Sequence, residues 1–114
     1  MIAALTLLLL GFQTPEKDYL AALDSAAKAI VAANINEAVT HVDKAYTVLE
    51  SMGPAYKHAR HYKRVELRLR DLLRRADTLV KDTPIDDRPA AQAAYDRISA
   101  VHEKVLAGVM SKKE

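Results

Sequence analysis

The stretch HARHYKRVELRLRDLLRR, residues 58–75, combines regularly spaced apolar residues with nine residues that are Lys, Arg or His. The apolar positions recur at steps of three and four, which is the spacing of one face of an α-helix. They continue over about 26 residues, or roughly 39 Å of helix. The sequence therefore predicts one long basic helix, with an apolar stripe formed by Ala55, Ala59, Tyr62, Val65, Leu69, Leu72, Leu73, Ala76, Leu79 and Val80.

Two shorter amphipathic segments precede this helix. TPE, residues 14–16, has the hydroxyl cap and the early proline of a helix start. The apolar stripe that follows runs to about residue 33, where NINE, residues 34–37, interrupts it. Asn34 suits the left-handed end of the first helix, and Asn34 or Asn36 suits the cap of the second. A second stripe then runs to Gly-Pro at residues 53–54, which is typical of a helix end.

A fourth helix is predicted after DTPIDDRP, residues 82–89, whose prolines end the long helix and whose aspartates suit helix caps. Four amphipathic helices with short connections predict an all-α fold. The helices form either a four-helix antiparallel bundle or two stacked helical hairpins, with the long basic helix third. The stripe of the last helix comprises Ala91, Tyr95, Ile98, His102, Val105 and Val109.

Residues 22–54, ALDSAAKAIVAANINEAVTHVDKAYTVLESMGP, have small residues at Ala26, Ala38 and Ala45 and a closing proline. In these features the segment resembles a single tetratricopeptide-type helical hairpin. The resemblance implies that the two helices pack closely through their small residues. It implies no peptide-binding residues, because several hairpins together build the binding groove of that family.

The N-terminal residues 1–13 form a separate segment before a single helical domain at residues 14–114. Residues 2–10 are all apolar or Thr, a run too short for a membrane span but of the length found in a secretory signal. No Lys or Arg precedes the run and no small-x-small site follows it. We expect an export signal, and hence a location in the periplasm or cell envelope. The alternative is a first helix packed into the core of a cytoplasmic protein.

Basic charge is concentrated in the third segment, since residues 54–82 carry nine basic and four acidic side chains. At 100° per residue the basic residues form two rows. The back stripe, opposite the apolar stripe, could face an acidic partner or an anionic surface, or could be neutralised within the protein. Cations in the first half of a helix oppose the macrodipole, which favours a partner. The flank row, beside Leu67, comprises Lys63, Arg70 and Arg74; the back stripe comprises Lys57, Arg60, Arg64, Arg68 and Arg75.

Histidines are the candidate ligands for a cofactor. His58 lies near the edge of the apolar stripe, and His102 lies within the stripe of the last helix, so a bundle could bring them together. Inward imidazoles could hold haem or a metal, but no Glu-x-x-His pair accompanies them and no cysteine is present. We expect no bound cofactor and a hydrogen-bonded or edge-exposed core position for His102, with a haem- or metal-binding bundle as the alternative.

Features of catalysis are scarce in the sequence. The chain has three glycines and no phosphate-binding glycine loop, and its adjacent aspartates at residues 86–87 suit helix capping. A basic helix without base-stacking aromatics is only weak evidence for nucleic-acid binding. We therefore expect a small exported interaction or structural module without catalysis, able to form homo-oligomers. A cytoplasmic nucleic-acid-binding protein is the second alternative.

Overall fold

The structure, a computed structural model, describes residues 15–52 and 58–111. This part of the chain folds into four helices and contains no β-strand, which confirms the all-α prediction. The predicted start at Pro15 is correct, and the long third helix extends to Asp82. The helices are α1 (Pro15–Val31), α2 (Ile35–Ser51), α3 (His58–Asp82) and α4 (Arg88–Ser111).

The turn between α1 and α2 differs from the prediction in one residue. Ala33, rather than Asn34, adopts the left-handed conformation, with a φ of 61°. The N–H of Asn34 donates to the carbonyl of Ala29 at 2.8 Å, and the N–H of Ala33 donates to the carbonyl of Ile30 at 2.9 Å. This is the Schellman pattern of helix ends. Asn34 instead caps α2, where its side chain accepts a hydrogen bond from the N–H of Glu37 at 3.2 Å.

The four helices form two stacked hairpins. α1 packs against α2, and α3 packs against α4; in addition α1 lies beside α3, and α2 lies beside α4. The two hairpin turns lie at the same end, because a common surface cavity is lined by Ala33, Ile35 and Asn36 of the first turn and by Thr83, Pro84 and Asp87 of the second. α1 therefore runs in the same direction as α3, and α2 in the same direction as α4. The structure thus favours stacked hairpins over a simple up-and-down arrangement.

The core combines alanines with a few large side chains. Alanines such as Ala26, Ala38 and Ala76 are fully buried and let neighbouring helices approach closely. The described residues of the predicted stripes are largely buried, although Leu73, Leu79, Tyr95 and Val109 are only partly covered. The side chains of Ala55 and Ala59 lie outside the described part of the chain. The largest fully buried side chains are Tyr19, Leu23, Leu49, Tyr62, Leu69 and Ile98.

Gly108 permits an especially close contact between α3 and α4. A Cβ atom added at Gly108 would overlap the ring of Tyr62, and would lie 3.1 Å from its Cζ atom. The hydroxyl of the same tyrosine donates a hydrogen bond to the carboxylate of Glu50 on α2. Burial and the neighbouring carboxylate both raise the pKa of Tyr62. The tyrosine therefore joins three helices and stays protonated.

Among the described residues, no helix combines the length and apolarity needed to cross a membrane. The proposed signal segment, residues 1–13, lies outside the described residues, so its export role stays a prediction.

Candidate functional site

The inner side of α3 forms ion pairs with α1. The guanidinium of Arg64 donates to the carboxylate of Glu16, and the guanidinium of Arg68 lies 3.2 Å from the carboxylate of Asp24. All four side chains are partly exposed. Exposed ion pairs contribute about 0.2–1 kcal/mol each. Arg64 and Arg68, which we call the seam row, therefore help to join the two hairpins.

A buried polar contact lies beneath the seam row. The hydroxyl of Tyr19 and the Nδ1 atom of His61 are 2.7 Å apart, and their rings meet edge to face. Glu16 approaches the same nitrogen at 3.9 Å. Burial, and secondarily the charge of Glu16, raise the pKa of Tyr19. Because the hydroxyl is fully buried and hydrogen-bonded, this contact serves to hold α1 against α3.

A second buried polar group, Glu66, connects α3 to α4. Its residue is only 4% exposed, and its carboxylate accepts two hydrogen bonds from Arg70 at 2.8 and 3.0 Å. The Nε2 atom of His102 lies 2.9 Å from the same carboxylate. Burial alone would raise the pKa of Glu66, but the hydrogen bonds from His102 and Arg70 and their charges hold it below its ordinary value. Glu66 is therefore an ionised buried group with a partner on each helix.

The outer side of α3 presents a basic and apolar surface. Leu67 is 50% exposed, while the side chains of Arg70 and Arg74 are 66% and 78% exposed. Leu67 and the two arginines also line a shallow depression of about 300 Å³, together with Asp71. The spacing of four, three and four residues places Lys63, Leu67, Arg70 and Arg74 on one face of the helix; these four residues are the basic patch.

Ion pairing distinguishes the residues of α3 from one another. Among the described residues, its cations form six ion pairs, and Lys63 is in none of them. The seam row binds acids of another helix, whereas the other four pairs join residues within α3. The pairs are Arg64–Glu16, Arg68–Asp24, Arg70–Glu66, Arg74–Asp71, Arg75–Asp71 and Lys81–Asp77.

The structure places the residues of the back stripe in different environments. Internal neutralisation, one of the two alternatives, is found at Arg64, Arg68 and Arg75. Arg60 is exposed on the first turn of α3. Lys57 lies outside the described residues. The five cations therefore do not form one uniform surface.

The candidate ligand residues are also in different environments. His102 has the hydrogen-bonded interior role expected of it, with a side chain that is 17% exposed. The side chain of His58 lies outside the described part of the chain. Across residues 15–52 and 58–111, no group of three or more His, Asp or Glu side chains is arranged to hold a metal ion.

Sequence reasoning missed the burial of Glu66 and His61. Glu66 and Arg70 have the opposite charges and the four-residue spacing of a helical ion pair, and the pair exists, but the carboxylate lies inside the bundle. The sequence pattern could have predicted the burial of Glu66, because Tyr62, Val65 and Glu66 fit the same spacing of three and four residues as the rest of the core face.

Comparisons of the chain with models of protein families, with curated proteins and with solved structures find no significant match.

Proposed function

We propose that the protein is a small helical interaction module without catalytic activity, which binds an acidic protein partner through the outer side of α3. The observation that carries the proposal is the basic patch, where three exposed cations surround a half-exposed leucine. An apolar side chain among cations suits a partner that presents carboxylates around an apolar residue of its own.

Arg70 is the best-positioned cation of the patch. Glu66 engages its Nε and one terminal nitrogen, so the guanidinium plane is fixed while its other donors are free to face solvent. A guanidinium held in this way loses less conformational entropy on binding a carboxylate than a mobile one does. The buried Glu66 and His102 thus support a surface residue from below.

The cations of the back stripe contribute less to the proposed binding surface than the sequence analysis predicted. Arg64 and Arg68 join α1 to α3, so a partner that engaged them would compete with Glu16 and Asp24. Arg60, which is exposed at the start of α3, can extend the binding surface. We therefore centre the docking surface on the basic patch.

The proposal favours a protein over nucleic acid or lipid. Phosphate backbones are bound mainly through charge and hydrogen bonds, which give an exposed leucine no role. Binding to a bilayer through a helix requires bulky apolar residues on the membrane side, and the basic patch has a single leucine. Leu67 therefore supports a partner with a matching apolar side chain.

We also propose that the module is exported, on the evidence of the apolar run at residues 2–10. N-terminal sequencing of the natural protein in each cell fraction tests this part. A mature N-terminus near Thr14 in the envelope fraction is expected, and a cytoplasmic chain that retains residues 2–12 would contradict it.

Binding to an acidic peptide tests the docking surface. The probe is a fluorescein-labelled amphipathic peptide of glutamates around a leucine stripe, measured by anisotropy with the full chain. The double variant Lys63→Glu, Arg74→Glu should weaken binding by about tenfold or more, because like charges then meet. The replacement Leu67→Ser should weaken it less.

The matched control reverses two exposed cations elsewhere, Lys44→Glu and Arg97→Glu, and should leave the affinity near that of the original chain. Equal binding by the patch variant would refute the proposal. Tighter binding of duplex DNA or of phosphatidylglycerol vesicles than of the peptide would refute the choice of a protein partner.

A further inference from the structure

The turn between α3 and α4 carries the opposite chemistry to the basic patch. Ile85 lies at the tip of this turn and is 74% exposed. Three aspartates near it, Asp82, Asp86 and Asp87, are exposed as well. Among the described residues, none of these three carboxylates forms an ion pair. We call Asp82, Ile85, Asp86 and Asp87 the acidic loop.

The acidic loop has a defined shape. The N–H of Asp87 donates to the carbonyl of Pro84 at 2.9 Å, and the N–H of Arg88 donates to the carbonyl of Ile85 at 3.3 Å. The guanidinium of Arg88 donates to the carbonyls of Lys81 and Thr83 at 3.1 and 3.0 Å. Arg88 thus caps carbonyl groups at the C-terminal end of α3. The loop therefore displays its isoleucine in a preformed turn, and ordering it on binding costs little entropy.

The two surfaces are complementary in both charge and apolar content. The basic patch offers three cations around Leu67, and the acidic loop offers three carboxylates around Ile85. We propose that the acidic loop of one copy of this chain docks on the basic patch of a second copy. The inference rests on the proposed function, in which the patch binds an acidic partner, and it names that partner as the chain itself.

A single copy cannot make this contact with itself. Leu67 and the end of α3 at Asp82 are separated by about 22 Å of continuous helix, at 1.5 Å per residue. Two copies whose α3 helices run antiparallel would place each loop near the patch of the other copy. The contact would then form twice around a two-fold axis, as in most homodimers.

Sedimentation equilibrium of the full chain over a range of concentrations and salt tests the inference. The average mass should rise from monomer towards dimer with concentration and fall as salt is added, because the contact is electrostatic. A chain that stays monomeric up to its solubility limit would refute the inference. If that monomer still binds the acidic peptide, the proposed function stands without it.

Charge exchange identifies the contact. One variant carries Asp82→Lys and Asp86→Lys, which leaves Asp87 at the start of α4 unchanged; the other carries Lys63→Glu and Arg74→Glu. Each variant alone should associate about tenfold or more weakly than the original chain, because like charges then meet. An equimolar mixture should recover association, since both loop-to-patch contacts between the two variants are again between opposite charges.

The matched control is Asp43→Lys with Asp96→Lys, which makes the same change in net charge at exposed positions of α2 and α4. It should associate nearly as well as the original chain. A mixture of the two exchange variants that stays monomeric, or a loop variant that associates as well as the original, would refute the contact. Circular dichroism of every variant confirms that the helices are intact.

Discussion

The two sides of α3 show how the same residue types take different roles on one helix. Arg64 and Arg68 face acids of α1 and join the hairpins. Lys63, Arg70 and Arg74 lie on the side away from α1, with Leu67 among them, and Arg70 and Arg74 are more exposed than Arg64 and Arg68. Among the described residues, the Lys and Arg side chains of α3 that pair with another helix are Arg64 and Arg68, so the difference comes from the neighbouring α1. An arginine that pairs with an acid of a second helix holds the two helices together. An arginine that pairs only within its own helix remains available to bind a partner.

Removal of Glu66 should have the largest effect on stability, because this buried carboxylate holds Arg70 of the basic patch and also contacts His102. Glu66→Ala leaves His102 and Arg70 without their shared partner. Breaking a buried pair costs about 3–5 kcal/mol, and since Arg70 is well exposed we expect about 2–3 kcal/mol. Urea denaturation measures the loss. A much smaller loss would show that the carboxylate does not link α3 to α4.

The pH dependence of stability should reveal the same group. The pKa of Glu66 is lowered in the folded state, so its contribution is present above the unfolded-state pKa and is lost as the pH falls through the folded-state pKa. We expect Glu66→Gln to cost about 1–2 kcal/mol near neutral pH. The gap between the two proteins should close in acid. Thermal melts between about pH 7 and pH 3 measure it, and a constant gap would contradict the assignment.

Gly108→Ala should strain the contact between α3 and α4 without changing a residue of the seam row or of the basic patch. The added methyl group overlaps the ring of Tyr62. Overpacking costs about 1–3 kcal/mol, offset in part by the better helix propensity of alanine, so we expect a net loss of about 1–2 kcal/mol. In a chain that already carries Tyr62→Leu, Gly108→Ala should cost less than it does in the original chain, because the ring that the methyl group overlaps is then absent. Additive losses would refute the contact.

Ala33→Gly should produce the smallest change and the only gain. Ala33 has a positive φ, which glycine adopts without a steric cost. We expect a stabilisation of about 0.5–1 kcal/mol by urea denaturation. Binding of the acidic peptide should not change, because the substitution alters no residue of the basic patch. Ala32→Gly is the matched control and should destabilise or have no effect. A gain there as large as at position 33 would contradict the role of the left-handed turn.

Much of the fold was predictable because it depends on local patterns. Pro15, the break at residues 34–37 and the prolines of residues 82–89 mark helix ends that depend only on neighbouring residues. The roles of Arg64 and Arg68 were not predictable to the same degree, since the 100° spacing of residues along α3 does not show that α1 lies beside it. The burial of Glu66 was missed for a different reason: its position fits the core face, but an ionised side chain is seldom buried without partners, and its second partner lies on another helix.

The left-handed residue of the first turn was misplaced by a preference that tertiary structure overrode. Asparagine tolerates this conformation better than alanine, yet Asn34 is used to cap α2. One residue cannot serve both roles, so Ala33 takes the strained position.

The most direct test compares two double reversals of α3 in the same pair of assays. Arg64→Glu with Arg68→Glu places like charges against Glu16 and Asp24, and should lower the free energy of unfolding by about 1–2 kcal/mol while leaving most of the acidic-peptide affinity. Lys63→Glu with Arg74→Glu should do the reverse, with stability nearly unchanged and affinity lowered by about tenfold or more. If both variants lose stability and affinity to the same degree, the two sides of α3 are not distinct and the account is wrong.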